Sequence, residues 1–234
     1  MTARRVLIWR HGRTEWNATG RMQGQTDVPL DDVGVQQAIQ AAPLLAAEGP
    51  DAIVSSDLQR ACRTADALAA VTGLTVTLDP RLRETGFGPW EGMTQPQVAE
   101  RWPVEYARWK RGDAPGVAGI ETPAEVVTRM RAALGDALDA ADGTLAVVCH
   151  GGAARRAVQA LTGWSDEVAA QLAALGNCRW TELQLSSSRG WRVHAHNVGP
   201  LTGAAGIDAP STAADAEPAG EEELTSFRTS AAPR

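Results

Sequence analysis

The sequence predicts an α/β fold built on a mostly parallel central sheet with helices against it, and three observations carry that prediction. Val6-Leu7-Ile8-Trp9, Ala52-Ile53-Val54 and Leu145-Ala146-Val147-Val148-Cys149 are apolar runs too short for helices and bounded by polar residues. Each is therefore expected to be a strand buried on both faces, as parallel strands are. Helical patterns follow these runs. Two of the runs end in a histidine beside glycine, Arg10-His11-Gly12 and His150-Gly151-Gly152, and the carboxyl end of a strand is where ligands sit in an open α/β sheet.

Taken in order, the first strand ends at Arg10-His11, a cation and an imidazole suited to an anionic ligand. Ala18 to Asp32 carries Gly20, Gly24 and Pro29 without a sustained period and is expected to be a loop near that strand end. Asp31 or Asp32 caps a helix from about Val33 to Ala47, with Val33, Ala38, Leu44 and Leu45 among its apolar positions and Gly49-Pro50 closing it. After the second strand, Ser56 and Gln59 have the three-residue spacing of a capping box, predicting a helix from there to about Ala70. Arg60 falls in its first turn, beside the positive pole of the helix. Leu74 to Leu78 alternates and is β-branched, the pattern of an edge strand.

Arg81 to Gly92 is a Gly-rich loop containing Glu84. Two short helical pieces between Pro96 and Arg111 carry Trp102, Tyr106 and Trp109, expected to form the core of a small lid. A loop from Gly112 to Gly119 leads to an amphipathic helix over Glu121 to Leu138, with Val126, Val127, Met130, Ala133, Leu134 and Leu138 near 3.6 spacing. His150 opens a helix from about Ala153 to Leu161. Trp180 to Leu185 and Trp191 to Asn197 form a hairpin, with His194 and His196 a solvent-facing pair on its second strand.

The chain has 234 residues, 44 % of them hydrophobic, enough for one substantial core, placed at residues 1–201. Residues 202–234 are low in complexity and are expected to be a disordered tail. A net charge of −6 argues against nucleic acid as a partner, while a basic pocket inside an acidic protein would suit a small anion. Cys62, Cys149 and Cys178 form neither a disulfide framework nor a zinc knuckle and are expected to be buried small hydrophobes. No apolar run approaches the length of a membrane span and Met1 to Arg5 leads straight into the first strand, so the expected location is the cytoplasm, with no membrane partner.

Arg10-His11-Gly12 with Thr14 and Asn17, Ser56-x-x-x-Arg60-x-x-x-Thr64, Arg83-Glu84 before Gly88-x-Trp90-Glu91-Gly92, and His150-Gly151 occur in an order that resembles the histidine phosphatase superfamily, the phosphoglycerate-mutase-like enzymes. The resemblance implies a three-layer α/β/α sandwich. It also implies that His11 carries phosphate, that Arg10, Arg60 and His150 form the phosphate pocket, and that Glu84 is the proton donor. The short segment after Glu84 and Gly20 to Asp27, with Gln23 and Gly24, resemble the phosphatase branch. Arg5 to about Asn197 resembles the members acting on glucosyl-3-phosphoglycerate. Gly119-Ile120-Glu121-Thr122 departs from the Gly-Glu-Ser expected there.

Phosphoryl transfer needs an in-line nucleophile, positive charge around the phosphate oxygens and a proton for the leaving group. His11 can attack as a neutral imidazole. Arg10, Arg60, His150 and the N–H groups near Gly12 and Gly151 are expected to cradle the phosphate, with Asn17 as a neutral donor. Without an Asp-rich cluster beside them, neither metal nor cofactor is expected; the arginines neutralise the charge. The expected partner is a small phosphorylated metabolite, with homodimerisation left open. Two alternatives remain, a mutase and a non-catalytic phosphate-binding module. The latter should have lost at least one of Arg10, His11, Arg60, Glu84 and His150, and none is missing.

Overall fold

A computed structural model describes residues 3–200; the tail assigned from composition, 202–234, lies outside them. In chain order the elements are β1 (Arg5–Arg10), α1 (Glu15–Ala18), α2 (Asp32–Ala47), β2 (Ala52–Ser55), α3 (Gln59–Thr72) and β3 (Val76–Leu78). Then come 3-10 turns at Pro80–Leu82 and Gly88–Trp90, and α4 (Gln95–Arg101), α5 (Pro103–Lys110), α6 (Pro123–Ala140), β4 (Thr144–Cys149), α7 (Gly151–Thr162), α8 (Asp166–Ala170), β5 (Trp180–Ser186) and β6 (Gly190–Val198).

The sheet order is β3-β2-β4-β1-β5-β6, parallel from β3 through β1 and antiparallel in the β5-β6 hairpin. Strand side chains alternate between faces, and both faces are covered. Val6, Ile8, Leu145, Val147 and Cys149 pack under α6 and α7, whereas Leu7, Trp9, Ile53, Ala146 and Val148 pack under α2 and α3. This is the three-layer sandwich. Among the described residues no helix is long and apolar enough to cross a membrane.

The aromatic residues expected to share a small core do so in a third cluster, in which Met22, Trp90 and Val98 are buried among Phe87, Trp102, Tyr106 and Trp109. Trp109 meets Trp90 edge-on at 6.1 Å and Phe87 at 6.0 Å, an arrangement aromatic quadrupoles favour.

Several sequence expectations change. Leu44 is exposed, and α2 instead buries Gly34, Ala38, Ala41, Ala42 and Leu45. Small residues let it sit close to its neighbours. Ser56 does not cap α3: its N-cap is Leu58, which makes no side-chain cap bond. The first-turn N–H of Gln59 is taken by Asp27 Oδ1 at 2.8 Å, and Gln59 Nε2 returns a bond to the Asp27 carbonyl at 2.7 Å. The cap comes from the loop of residues 20–30. Cys149 and Cys178 are buried as expected, but Cys62 is only half-buried. His194 is exposed, whereas His196 is held between Thr181 Oγ1 at 2.8 Å and the Ala173 carbonyl at 2.9 Å.

Candidate active site

The register of β1 and β4 builds the centre of the site. Arg10 lies opposite Cys149 in the parallel ladder, so the next residues, His11 and His150, leave the sheet side by side with ring centroids 5.0 Å apart. The loop before β5 grips the first of them from the other side. Cys178 N–H bonds the carbonyls of Arg10 and His11 at 3.1 and 3.3 Å, and Asn177 Nδ2 reaches the His11 carbonyl at 2.9 Å.

His11 is 3 % exposed, and its Nδ1 lies 2.6 Å from the Gly12 carbonyl. A carbonyl can only accept, so the proton sits on Nδ1 and Nε2 carries the lone pair. Burial, then the charges of Arg60 and Arg10, holds the imidazole well below its usual range. The ring is therefore neutral near pH 7. Gly12 allows the close approach of α2: a Cβ there would meet the Gly34 carbonyl oxygen at 2.4 Å.

Arg60 and His150 are both fully buried. The guanidinium donates from Nη1 to the Thr26 carbonyl at 2.8 Å, from Nη2 to the Gly24 carbonyl at 2.7 Å and from Nε to His150 Nδ1 at 3.2 Å. Burial pushes its pKa down to about 10, still cationic at neutral pH. Burial, then Arg60, His11 and Arg10, holds His150 well below its usual range. Arg10 Nη1 donates to the Leu175 carbonyl at 2.7 Å.

Glu84 approaches from the far side. Its carboxylate accepts from the N–H groups of Gly152 and Ala153, both at 2.9 Å, at the start of α7, and from Thr85 N–H at 2.8 Å.

Arg10, His11, Asn17, Gln23, Gly24, Arg60, Glu84 and Gly151 all line one cavity of about 630 Å³. Three parts of the expected cradle are corrected. The Gly12 N–H is bonded to Thr64 Oγ1 at 3.1 Å, and the N–H groups of Gly152 and Ala153 serve Glu84. His150 stands behind the wall: its two ring nitrogens meet Arg60 and Ser56. Asn17 lines the cavity while its Oδ1 accepts from Thr14 N–H at 3.2 Å in a capping box that fixes the side chain. Gln23 Oε1 accepts from Thr14 Oγ1 at 3.0 Å.

The sequence reading missed Trp16, Arg21, Trp109 and Arg155, which also line the cavity. Nothing in their local spacing marks them; chain topology delivers them. Among the described residues, no three of His, Cys, Asp or Glu converge in a way that could hold a metal ion.

Residues 6–199 match the family described as the histidine phosphatase superfamily (branch 1). The chain is 37 % identical over 191 residues to a glucosyl-3-phosphoglycerate phosphatase of Mycolicibacterium vanbaalenii, covering 78 % of this chain and 85 % of that protein. It is 33 % identical over 200 residues to a probable phosphoglycerate mutase, GpmB, of Yersinia pestis, covering 81 % and 91 %. A solved structure of mycobacterial glucosyl-3-phosphoglycerate phosphatase complexed with VO3 aligns with a TM-score of 0.77 at 35 % identity, covering 84 % of this chain and all of that one.

Proposed function

The chain belongs to branch 1 of the histidine phosphatase superfamily and is a phosphomonoester hydrolase; we propose that it works through a phosphohistidine on His11 and that its substrate is glucosyl-3-phosphoglycerate or a close analogue. His11 carries this reading, because its Nδ1–H is tied to the Gly12 carbonyl while its lone pair is left on Nε2 at the cavity wall.

Attack by Nε2 on phosphorus forms the N–P bond as the ester P–O bond breaks. Arg10 and Arg60 offset the charge on the phosphate oxygens, a preorganised stabilisation that needs no rearrangement at the moment of transfer. The departing alkoxide takes a proton from Glu84, the carboxyl on that wall. In the second half-reaction water attacks phosphorus, Glu84 recovers the proton, and His11 leaves as the neutral imidazole. His150 acts through Arg60.

The cavity, about 630 Å³, lies within the roughly 300–1,000 Å³ of pockets that take drug-sized ligands, far more than a bare phosphate fills. Trp16 and Trp109 offer apolar faces and Arg21 and Arg155 positive charge, which suits a sugar joined to a second anionic group. We place the enzyme in the cytoplasm, where its three free thiols suit a reducing compartment.

The test is phosphate release over glucosyl-3-phosphoglycerate, 3-phosphoglycerate and simple sugar phosphates. The glucosylated ester should show the highest kcat/KM, with stoichiometric inorganic phosphate. Interconversion of phosphoglycerates without phosphate release would make the protein a mutase.

A further inference from the structure

Glu84 is delivered by a stretch of chain with little regular structure, a 3-10 turn at Pro80–Leu82 followed by irregular backbone to Gly86. Backbone of that kind does not hold a side chain in place by itself. The main chain of that stretch is held by Arg129 of α6. Nη1 donates to the carbonyls of Arg81 and Arg83 at 2.7 and 2.6 Å, and Nη2 donates to the Glu84 carbonyl at 2.9 Å. The remaining donors face Glu121: Nη2 to Oε2 and Nε to Oε1, both at 2.8 Å. A guanidinium has five N–H groups in a fixed planar fork, and all five are engaged.

Glu121 completes the frame. Its Oε2 also accepts from Gly86 N–H at 2.7 Å and from Gln25 Nε2 at 3.3 Å, and Gln25 reaches the Glu84 carbonyl at 3.2 Å. Glu121 is thus the glutamate retained from the expected Gly-Glu-Ser, and it orients Arg129. Burial raises the Glu121 carboxyl, but Arg129 and the Gly86 N–H outweigh it and the group sits below its usual range.

We infer that the Arg129–Glu121 pair is a positioning device for the proton donor, fixing the main chain from Arg81 to Gly86 so that the Glu84 carboxyl meets the start of α7 at the cavity wall. The inference rests on Glu84 acting as the acid. A displacement of about 1 Å in a reacting group can cost about 10²-fold in rate, so a strut three carbonyls long has a chemical consequence. Lysine could not replace Arg129, because a point charge lacks the fork.

The test compares Arg129→Gln, Glu121→Gln and Glu84→Gln on a sugar phosphate, whose alkoxide needs a proton to leave, and on p-nitrophenyl phosphate, whose phenolate does not. Arg129→Gln should lower kcat/KM on the sugar phosphate by about 10-fold or more beyond its effect on the nitrophenyl ester, approaching the loss expected for misplacement. Adding Glu84→Gln to it should cost nothing further on the sugar phosphate relative to Glu84→Gln alone, as for residues acting through one group. If Glu84→Gln is selective for the sugar phosphate while Arg129→Gln slows both esters alike, the strut is merely structural and the inference fails alone. If Glu84→Gln itself slows both alike, the acid assignment fails and takes the inference with it. Should Arg129→Gln not fold by circular dichroism, Glu121→Gln, nearly isosteric, carries the same comparison with the same two outcomes.

Discussion

Arg60 Nε donates to His150 Nδ1 at 3.2 Å, joining the first turn of α3 to the end of β4 inside the protein. Arginine can only donate, so the proton of the neutral His150 lies on Nε2 and goes to Ser56 Oγ at 2.9 Å. The chain Arg60-His150-Ser56 therefore has one direction, and it holds a buried cation at the cavity.

Ser56→Ala should show what that chain is worth. It leaves a buried imidazole N–H without its acceptor, a loss of about 1–3 kcal/mol. At about 2–4 °C per kcal/mol for a chain of this size, Tm should fall by several degrees. kcat/KM should fall with it, because Arg60 loses its anchor. Unchanged Tm and kcat/KM would mean that the chain holds nothing.

Stability should decline with acid from about pH 6.5 downward. His11 and His150 are kept neutral in the folded state, by burial first and then by Arg60 and, for His150, His11; in the unfolded chain they take up protons near pH 6.5. Below that pH the unfolded state binds more protons, so each histidine removes up to about 1.4 kcal/mol per pH unit. The stabilisation is complete above about pH 6.5 and is lost as pH falls. His196, lowered chiefly by burial, adds a share of the same sign. The lowered carboxyls of Asp57, Asp79 and Glu121 act only below about pH 4.5, leaving the interval above about pH 5 to the histidines. Thermal melts across it should slope downward toward acid, and His11→Asn should flatten the slope. A flat profile in the wild type would contradict neutral burial of these rings.

Gly34→Ala opposes two effects. In a helix interior Ala is better than Gly by about 1 kcal/mol, yet a Cβ on Gly34 would meet the Arg13 carbonyl oxygen at 2.0 Å. Overpacking of this kind costs about 1–3 kcal/mol, so the variant should melt lower and lose activity, because the displaced segment carries His11 and Gly12. A rise in Tm with full activity would show that α2 can retreat freely.

Strand and helix types were legible because buried parallel strands leave uninterrupted apolar runs such as Val6 to Trp9, and because a helix packed on one face repeats its apolar residues near 3.6 spacing, as Val126, Met130, Ala133, Leu134 and Leu138 do in α6. Ser56 and Gln59 show the limit. Their spacing also suggests a capping box, but Asp27 and His150, distant in sequence, claim them instead. Gly12 was misread similarly: its N–H looked available to a ligand until Thr64 of the neighbouring helix took it. The strut of Arg129 and Glu121 was invisible because its acceptors are main-chain carbonyls, which any sequence supplies.

The central claim is that His11 Nε2 carries the phosphoryl group, and it is tested most directly by quenching a reaction with isotopically labelled substrate in alkali and locating the label. The wild type should hold acid-labile, alkali-stable label on Nε2 of His11, and His11→Ala should hold none. Label persisting in that variant, or found on His150, would contradict the account.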